Sequence, residues 1–179
     1  MEDISLHILD IAENSLRADA TRVEIILTRD GNRDLLQVEV IDNGRGMDPG
    51  TIAQIRDPFF TTKKKKTGLG IPLLAQAAGQ TGGTLTIDSA PGKGTRVTVT
   101  FTWSHVDRPA IGNMADTLLT LIAGHPEVDF VYEEREAARS FSLDTGELKN
   151  DLEGVPINTP DVLHAIRSLM LNEQLKFEA

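Results

Sequence analysis

Cysteine is absent from all 179 residues, which excludes disulfides, thiolate metal centres and cysteine nucleophiles together. No apolar run reaches the length of a signal-peptide core or a membrane span, and the start, Met1-Glu2-Asp3, is acidic. A soluble cytoplasmic protein is the expectation. Two nucleotide-binding signatures are also missing. Gly92-Lys93-Gly94-Thr95 has Gly where a Walker A lysine should meet Ser/Thr, and there is no Rossmann Gly-x-Gly-x-x-Gly. Internal repeats and low-complexity segments are absent. His105 and His125 have no partners at metal-ligand spacing.

What is present is ordinary globular material, 40% hydrophobic and 25% charged, long enough for one domain or one domain with an appendage. Charge is unevenly placed. Up to Trp103 there are 12 Lys+Arg against 13 Asp+Glu, and beyond it 6 against 14. The tail therefore repels nucleic acid and anionic membrane; it suits a basic protein surface, or is simply a solvated acidic face.

Helical spacing of Ile4, Ile8, Ile11 and Ser15 predicts a helix from Ile4 to Ala18, with Asp3 as its cap. Arg22 to Arg29 and Leu35 to Asp42 read as strands joined by the Asp30-Gly31-Asn32 turn. Asp48-Pro49 opens a short helix to about Ile55. Asp57 to Gly70 is polar and aperiodic, hence a loop. A helix from Ile71 to about Thr81 is stopped by Gly82-Gly83. Thr84 to Ser89 and Thr95 to Trp103 alternate as strands, with Val97, Val99, Phe101 and Trp103 on one face. Beyond them come a helix from Ala110 to Ala123, strands at 130–134 and 140–144, and an amphipathic helix from Pro160 to Leu175. The sum is a layered α/β domain with a smaller α+β extension.

Chemistry concentrates in four places. Asp10, Asn14 and Arg17 share a stripe of the first helix with His7 one turn earlier, able to offer a metal an amide oxygen and a phosphate a guanidinium. The same stripe is what a solvated helix face looks like. Asp42-Asn43-Gly44-Arg45-Gly46-Met47 sets an acid at a strand end, where it can accept from an exocyclic amine, followed by glycines that let backbone approach a ligand. Glycines in Asp57-Pro58-Phe59-Phe60-Thr61-Thr62-Lys63-Lys64-Lys65-Lys66-Thr67-Gly68-Leu69-Gly70 precede a helix, whose free amides and dipole favour phosphate. Gly92-Lys93-Gly94-Thr95 forms the last turn.

In this order the clusters resemble the ATP-binding superfamily of gyrase, heat-shock chaperones, histidine kinases and MutL, over about Ser5 to Trp103. Glu13-Asn14-Ser15-Leu16-Arg17-Ala18-Asp19-Ala20-Thr21-Arg22 looks like its N-box, in wording close to MutL. Asp42 to Gly46 matches the first glycine box. Asp57 to Thr62 with Gly68-Leu69-Gly70 resembles the kinase F and second glycine boxes. The resemblance implies an α/β, two-layer sandwich of Bergerat type, with a mixed sheet and helices on one face, spanning 1–103. An acidic extension of unassigned function spans 104–179. It further implies ATP and Mg2+ as cofactors: Asn14 as the metal ligand, Asp42 on adenine with Thr95 acting through hydroxyl or water, and Gly44, Gly46 and Met47 beside the base. Thr61, Thr62, Gly68, Leu69 and Gly70 would shape a lid, with Arg17 and a lysine such as Lys66 on phosphate.

Two features depart from the family. Hydrolytic members carry Glu four residues before the metal-binding Asn, and here that position is Asp10, one methylene shorter. Sensor kinases place a phosphoacceptor module upstream, whereas here 13 residues precede Asn14. No His-Glu or His-Asp acceptor motif is present, and the segment at His164 lacks the acid and proline of an acceptor helix. The expected function is therefore phosphorylation of a partner protein in trans, with Asp10, Asn14 and Arg17 in the catalytic set and a homodimer possible. A slow ATPase switch and a non-catalytic ATP sensor are the alternatives.

Overall fold

The computed structural model describes residues 3–56 and 70–178. The first helix, α1 (Ile4–Arg17), forms where the apolar spacing predicts it, with Ile4, Ile8, Ile11 and Ser15 buried. Burying each isoleucine stabilises the fold by about 1.5–3 kcal/mol. Asp3 caps the start, its carboxylate accepting from the Leu6 amide at 3.0 Å. At the other end, Asp19 takes a left-handed φ of 60°. The Ala20 amide then donates to the Ser15 carbonyl and the Asp19 amide to that of Leu16, which closes the helix in a Schellman motif. This sharp stop fixes where Asn14, Ser15 and Arg17 lie against the sheet.

A hairpin follows, β1 (Arg22–Asp30) and β2 (Leu35–Asp42), then α2 (Pro49–Arg56). Asp48 opens α2 as expected, accepting from the Thr51 amide at 2.8 Å. That bond holds its carboxyl below the usual range. None of α2's residues is buried. The expected loop lies outside the described residues except for Gly70, which is the first residue of α3 (Gly70–Gln80). Gly82 stops α3 with a φ of +75°. Strands β3 (Leu85–Ser89) and β4 (Thr95–Thr102) complete the region that the clusters occupy.

The remaining elements are α4 (Met114–Gly124), β5 (Asp129–Glu136), β6 (Arg139–Asp144), α5 (Thr145–Asp151) and α6 (Pro160–Glu178). Two departures from the sequence reading have clear causes. The helix expected from Ala110 begins at Met114. Gly112 sits at a φ of +82°, and the Ala110 and Ile111 carbonyls accept from the Ile4 and Ser5 amides instead. α5 was not expected, although Asp144 and Glu147 stand at capping-box spacing and Asp144 accepts from the Gly146 amide at 2.8 Å.

The six strands among the described residues form one mixed sheet in the order β3-β4-β2-β1-β5-β6. β5 lies parallel to β1 and the other pairs are antiparallel. Alternation puts Val23, Ile25, Leu27, Leu36, Val38, Val40, Val97, Val99 and Phe101 on one face, where they meet buried residues of α1, α3, α4 and α6 in a single core. The opposite face carries Arg96, Thr98, Thr100, Gln37 and Glu39, exposed or half-buried. The expected two-layer sandwich, a mixed sheet with helices on one face, is what the chain forms. The strands after residue 103 extend the same sheet.

Candidate functional site

A cavity of about 400 Å3 opens where the C-terminal end of α1 meets the ends of β2 and β4 and the start of α3. Asn14 and Arg17 enter it from α1, Asp42 from β2, Gly46 and Met47 from the turn after β2, Gly70 from α3 and Thr95 from β4. Register explains the convergence: Asp42 pairs with Thr95, and Thr95 with Ser89, on neighbouring strands. All three point to the helix-covered face.

Hydrogen bonds set the polarity of the cavity. Asp42 Oδ2 accepts from the Ser15 hydroxyl at 2.6 Å and Oδ1 from the Gly44 amide at 2.9 Å. Ser89 Oγ accepts from the Met47 amide at 2.9 Å, donates to the Gly94 carbonyl at 2.8 Å, and lies 2.9 Å from Thr95 Oγ1. Asn43 accepts from the Thr21 and Arg22 amides at 2.9 and 3.0 Å, which fixes the turn after β2 to the start of β1. At the rim the Arg17 guanidinium donates to Asn14 Oδ1 at 2.9 Å. The Arg45 guanidinium donates to the Arg17 carbonyl and pairs with Asp19 at 3.6 Å.

The glycines act by close approach. A Cβ on Gly46, at a φ of +70°, would lie 1.9 Å from the Ala90 carbonyl oxygen. One on Gly94, at a φ of +71°, would lie 2.0 Å from that of Asp42. Gly44 sits behind the cavity wall, where a Cβ would come within 2.7 Å of the Ala18 carbonyl oxygen. The two turns are thus pressed against one another and against the end of α1.

Of the sequence-predicted residues, Asn14, Arg17, Asp42, Gly46, Met47, Gly70 and Thr95 meet at this cavity, with Gly44 behind it. Asp10 does not line it. Its carboxylate lies against Gly70, where a Cβ would come within 3.1 Å of Oδ2. His7 shares the α1 stripe by spacing but is buried, while Asp10, Asn14 and Arg17 are exposed. Thr61, Thr62, Lys66, Gly68 and Leu69 fall outside the described residues.

Sequence reasoning did not single out Ser15, Ser89, Arg45, Thr51 or Gln54. Ser15 had a signal, a hydroxyl in the buried stripe of an amphipathic helix. Arg45 stands inside the Asp42–Met47 motif, and Gln54 reaches the cavity by tertiary placement alone. Among the described residues no group of three or more His, Cys, Asp or Glu is arranged to hold a metal, so a cation here would rely on Asn14 Oδ1 and on oxygens of a ligand. That oxygen now accepts from the Arg17 guanidinium at the cavity edge, and it is a hard, neutral donor of the kind Mg2+ takes.

The family model for histidine kinase-, DNA gyrase B- and HSP90-like ATPases matches residues 2–105. The chain belongs to this family. Its first hundred residues are a histidine kinase-like ATP-binding domain, and the cavity lies wholly within them. The sensor protein kinase FleS of Pseudomonas aeruginosa is 38% identical over 92 residues, covering 51% of this chain and 23% of that protein. The sensor protein DegM of a Bacillus species is 30% identical over 90 residues, covering 50% and 24%. The chain thus spans about a quarter of the length of these relatives. Among solved structures, the N-terminal domain of a DNA repair protein superposes with a TM-score of 0.48 at 15% identity, covering 79% of this chain and 52% of that one. No helix among the described residues is long and apolar enough to cross a membrane.

Proposed function

We propose that this protein binds Mg-ATP in the α1–β2–β4 cavity and transfers the γ-phosphoryl group to a side chain of a partner protein in the cytoplasm, as part of signal transduction or anti-sigma-type regulation. The observation that carries the reading is the meeting of Asp42 and Thr95 with Asn14, Arg17 and Gly70 around one cavity of about 400 Å3. Asp42 accepts from the adenine amine while Gly46 and Met47 flank the base. Asn14 would hold Mg2+, whose charge would offset that of the phosphates. Once Asn14 Oδ1 is engaged, the Arg17 guanidinium that now donates to it is released to phosphate. The lid residues Thr61, Thr62, Lys66, Gly68 and Leu69 belong to the same reading. Phosphoryl transfer needs chiefly positioning and charge neutralisation, which these groups supply.

Similarity to sensor kinases such as FleS supports transfer over hydrolysis. So does the position of Asp10, which lies against Gly70 rather than on the cavity lining. The same contact at the start of α3 keeps a second reading in view, in which Asp10 orients water for a slow ATPase that drives a change in its partner.

The test follows the γ-phosphate of labelled Mg-ATP, with pure protein and in cell extract, beside Asn14→Ala. Label on a second protein, lost in the variant, is the expected outcome. Free phosphate from pure protein, also lost in the variant, moves the assignment to the ATPase. Unchanged Mg-dependent ATP affinity in a folded Asn14→Ala protein sinks the site itself.

A further inference from the structure

Behind the cavity wall stands Ser89, a residue that does not touch the cavity space but controls what Thr95 offers to it. A serine hydroxyl has one proton. Ser89 Oγ lies 2.8 Å from the Gly94 carbonyl oxygen, which can only accept, so that proton is directed there. The Met47 amide, which can only donate, meets the same oxygen at 2.9 Å. The third contact, 2.9 Å to Thr95 Oγ1, is then a bond in which Thr95 is the donor. With its own proton turned back to Ser89, Thr95 presents only lone pairs to the cavity.

Asp42 is wired to the same effect from the other side. Ser15 donates to Oδ2 at 2.6 Å and the Gly44 amide to Oδ1 at 2.9 Å, so the carboxylate is fixed as an acceptor. Ser15 Oγ also lies 3.3 Å from the Ile11 carbonyl, but the single proton goes to the shorter, charge-assisted contact. Asp42 and Thr95 are direct cross-strand partners, so the two acceptors stand side by side at one end of the cavity.

We propose that Ser89 is a specificity-determining positioning residue: it fixes Thr95 as an acceptor beside Asp42, so that the cavity takes 6-amino purine nucleotides and rejects 6-oxo purines. The inference rests on the ATP-binding reading above and concerns which end of the base that site can read. A 6-amino group brings two N–H donors to two acceptors. A 6-oxo group brings lone pairs against the lone pairs of Asp42 and Thr95. Rejection of this kind is strong because it leaves buried polar groups unpaired rather than merely losing a contact.

The experiment is direct titration of ATP and ITP, with Mg2+, into the wild type, Ser89→Ala and Thr95→Val. ITP differs from ATP only at the purine 6-position and the adjoining ring nitrogen, so the affinity ratio reads the wiring and not the fold. The wild type should favour ATP by about a hundredfold, the scale of leaving one buried polar group unpaired. In Ser89→Ala the Thr95 hydroxyl can rotate and donate, and the preference should fall about tenfold, mostly through tighter ITP. Thr95→Val keeps a β-branched strand residue; it should weaken ATP without improving ITP. A destabilised fold would weaken both nucleotides together and leave the ratio unmoved. If ATP binds and Ser89→Ala keeps the wild-type ratio, or if Thr95→Val strengthens ITP as much as Ser89→Ala does, the proton wiring is overturned while the ATP site stands. If the wild type binds neither nucleotide, both the site reading and this inference fall.

Discussion

At Gly46 a methyl group has nowhere to go. The position it would take lies 1.9 Å from the Ala90 carbonyl oxygen, and the backbone φ of +70° is one that L side chains rarely adopt. Both objections are to backbone, so no rotamer change relieves them. Gly46→Ala should destabilise the protein by about 2–4 kcal/mol and empty the cavity of its nucleotide, measured by urea unfolding and by ATP titration. Gly79 is the control. It sits in α3 with no atom within 4 Å of its Cβ position. Gly79→Ala should stabilise by about 0.5 kcal/mol through helix propensity and leave nucleotide affinity alone. A destabilising Gly79→Ala would mean that the end of α3 is not helical in solution.

On the scale of one element, α1 is a helix whose end matters more than its middle. Its last turn carries Asn14, Ser15 and Arg17 to the cavity, and the Ala18 carbonyl accepts from the Arg45 amide at 2.9 Å, tying the helix end to the glycine turn. The stop itself depends on Asp19 in a left-handed conformation that costs an L residue about 1 kcal/mol. Asp19→Gly should therefore raise unfolding stability by about 0.5–1 kcal/mol. The ion pair given up, Asp19 with Arg45 at 3.6 Å, is between exposed groups and offsets little of this gain. ATP affinity should be unchanged. A loss of affinity without a loss of stability would show that Asp19 holds Arg45 in place for the nucleotide rather than merely ending the helix.

Across the whole molecule, the last turn of α6 is locked to β1 and β5, far along β1 from the cavity. Arg29 of β1 pairs with Glu134 of β5 at 2.6 Å, both nearly inaccessible, and donates to the Phe177 carbonyl of α6 at 3.1 Å. Tyr132 completes the group by donating to Glu134 at 2.9 Å. Burial first, and then the neighbouring Glu134 carboxylate, push the Tyr132 phenol well above its ordinary value. The sign of the effect on stability follows. The folded state holds the phenolic proton to higher pH than the unfolded chain does. Stability is therefore untouched below the ordinary tyrosine value of about 10 and falls as pH rises beyond it. Tyr132 is the chain's one tyrosine, so phenolate absorbance reports it alone. That absorbance should appear together with loss of secondary structure in an alkaline titration, and not before. A phenolate that forms near pH 10 with the fold intact, measured beside circular dichroism, would contradict the burial of this group.

The sequence by itself determined the elements and their order. Period-3.6 spacing in α1, period-2 alternation in β4, and turn residues at Asp30-Gly31 and Gly82-Gly83 are local signals, and each element formed where they lie. It also determined which residue types the cavity would contain, because Asn14, Asp42, Gly46 and Thr95 stand in short motifs whose chemistry can be read one turn at a time. It under-read α5, where the Asp144–Glu147 spacing was present, and misplaced the start of α4, because a long-range pairing with the α1 amides claimed residues 110–111. Only the tertiary structure decided that β5 pairs parallel to β1, that Arg29 is buried beside Glu134, and that Ser89 stands behind Thr95. The physical reason is the same in each case. A hydrogen bond or ion pair between residues tens of positions apart leaves no periodic trace in the chain. Which hydroxyl donates to which acceptor is settled only when strands in register bring them within three ångströms.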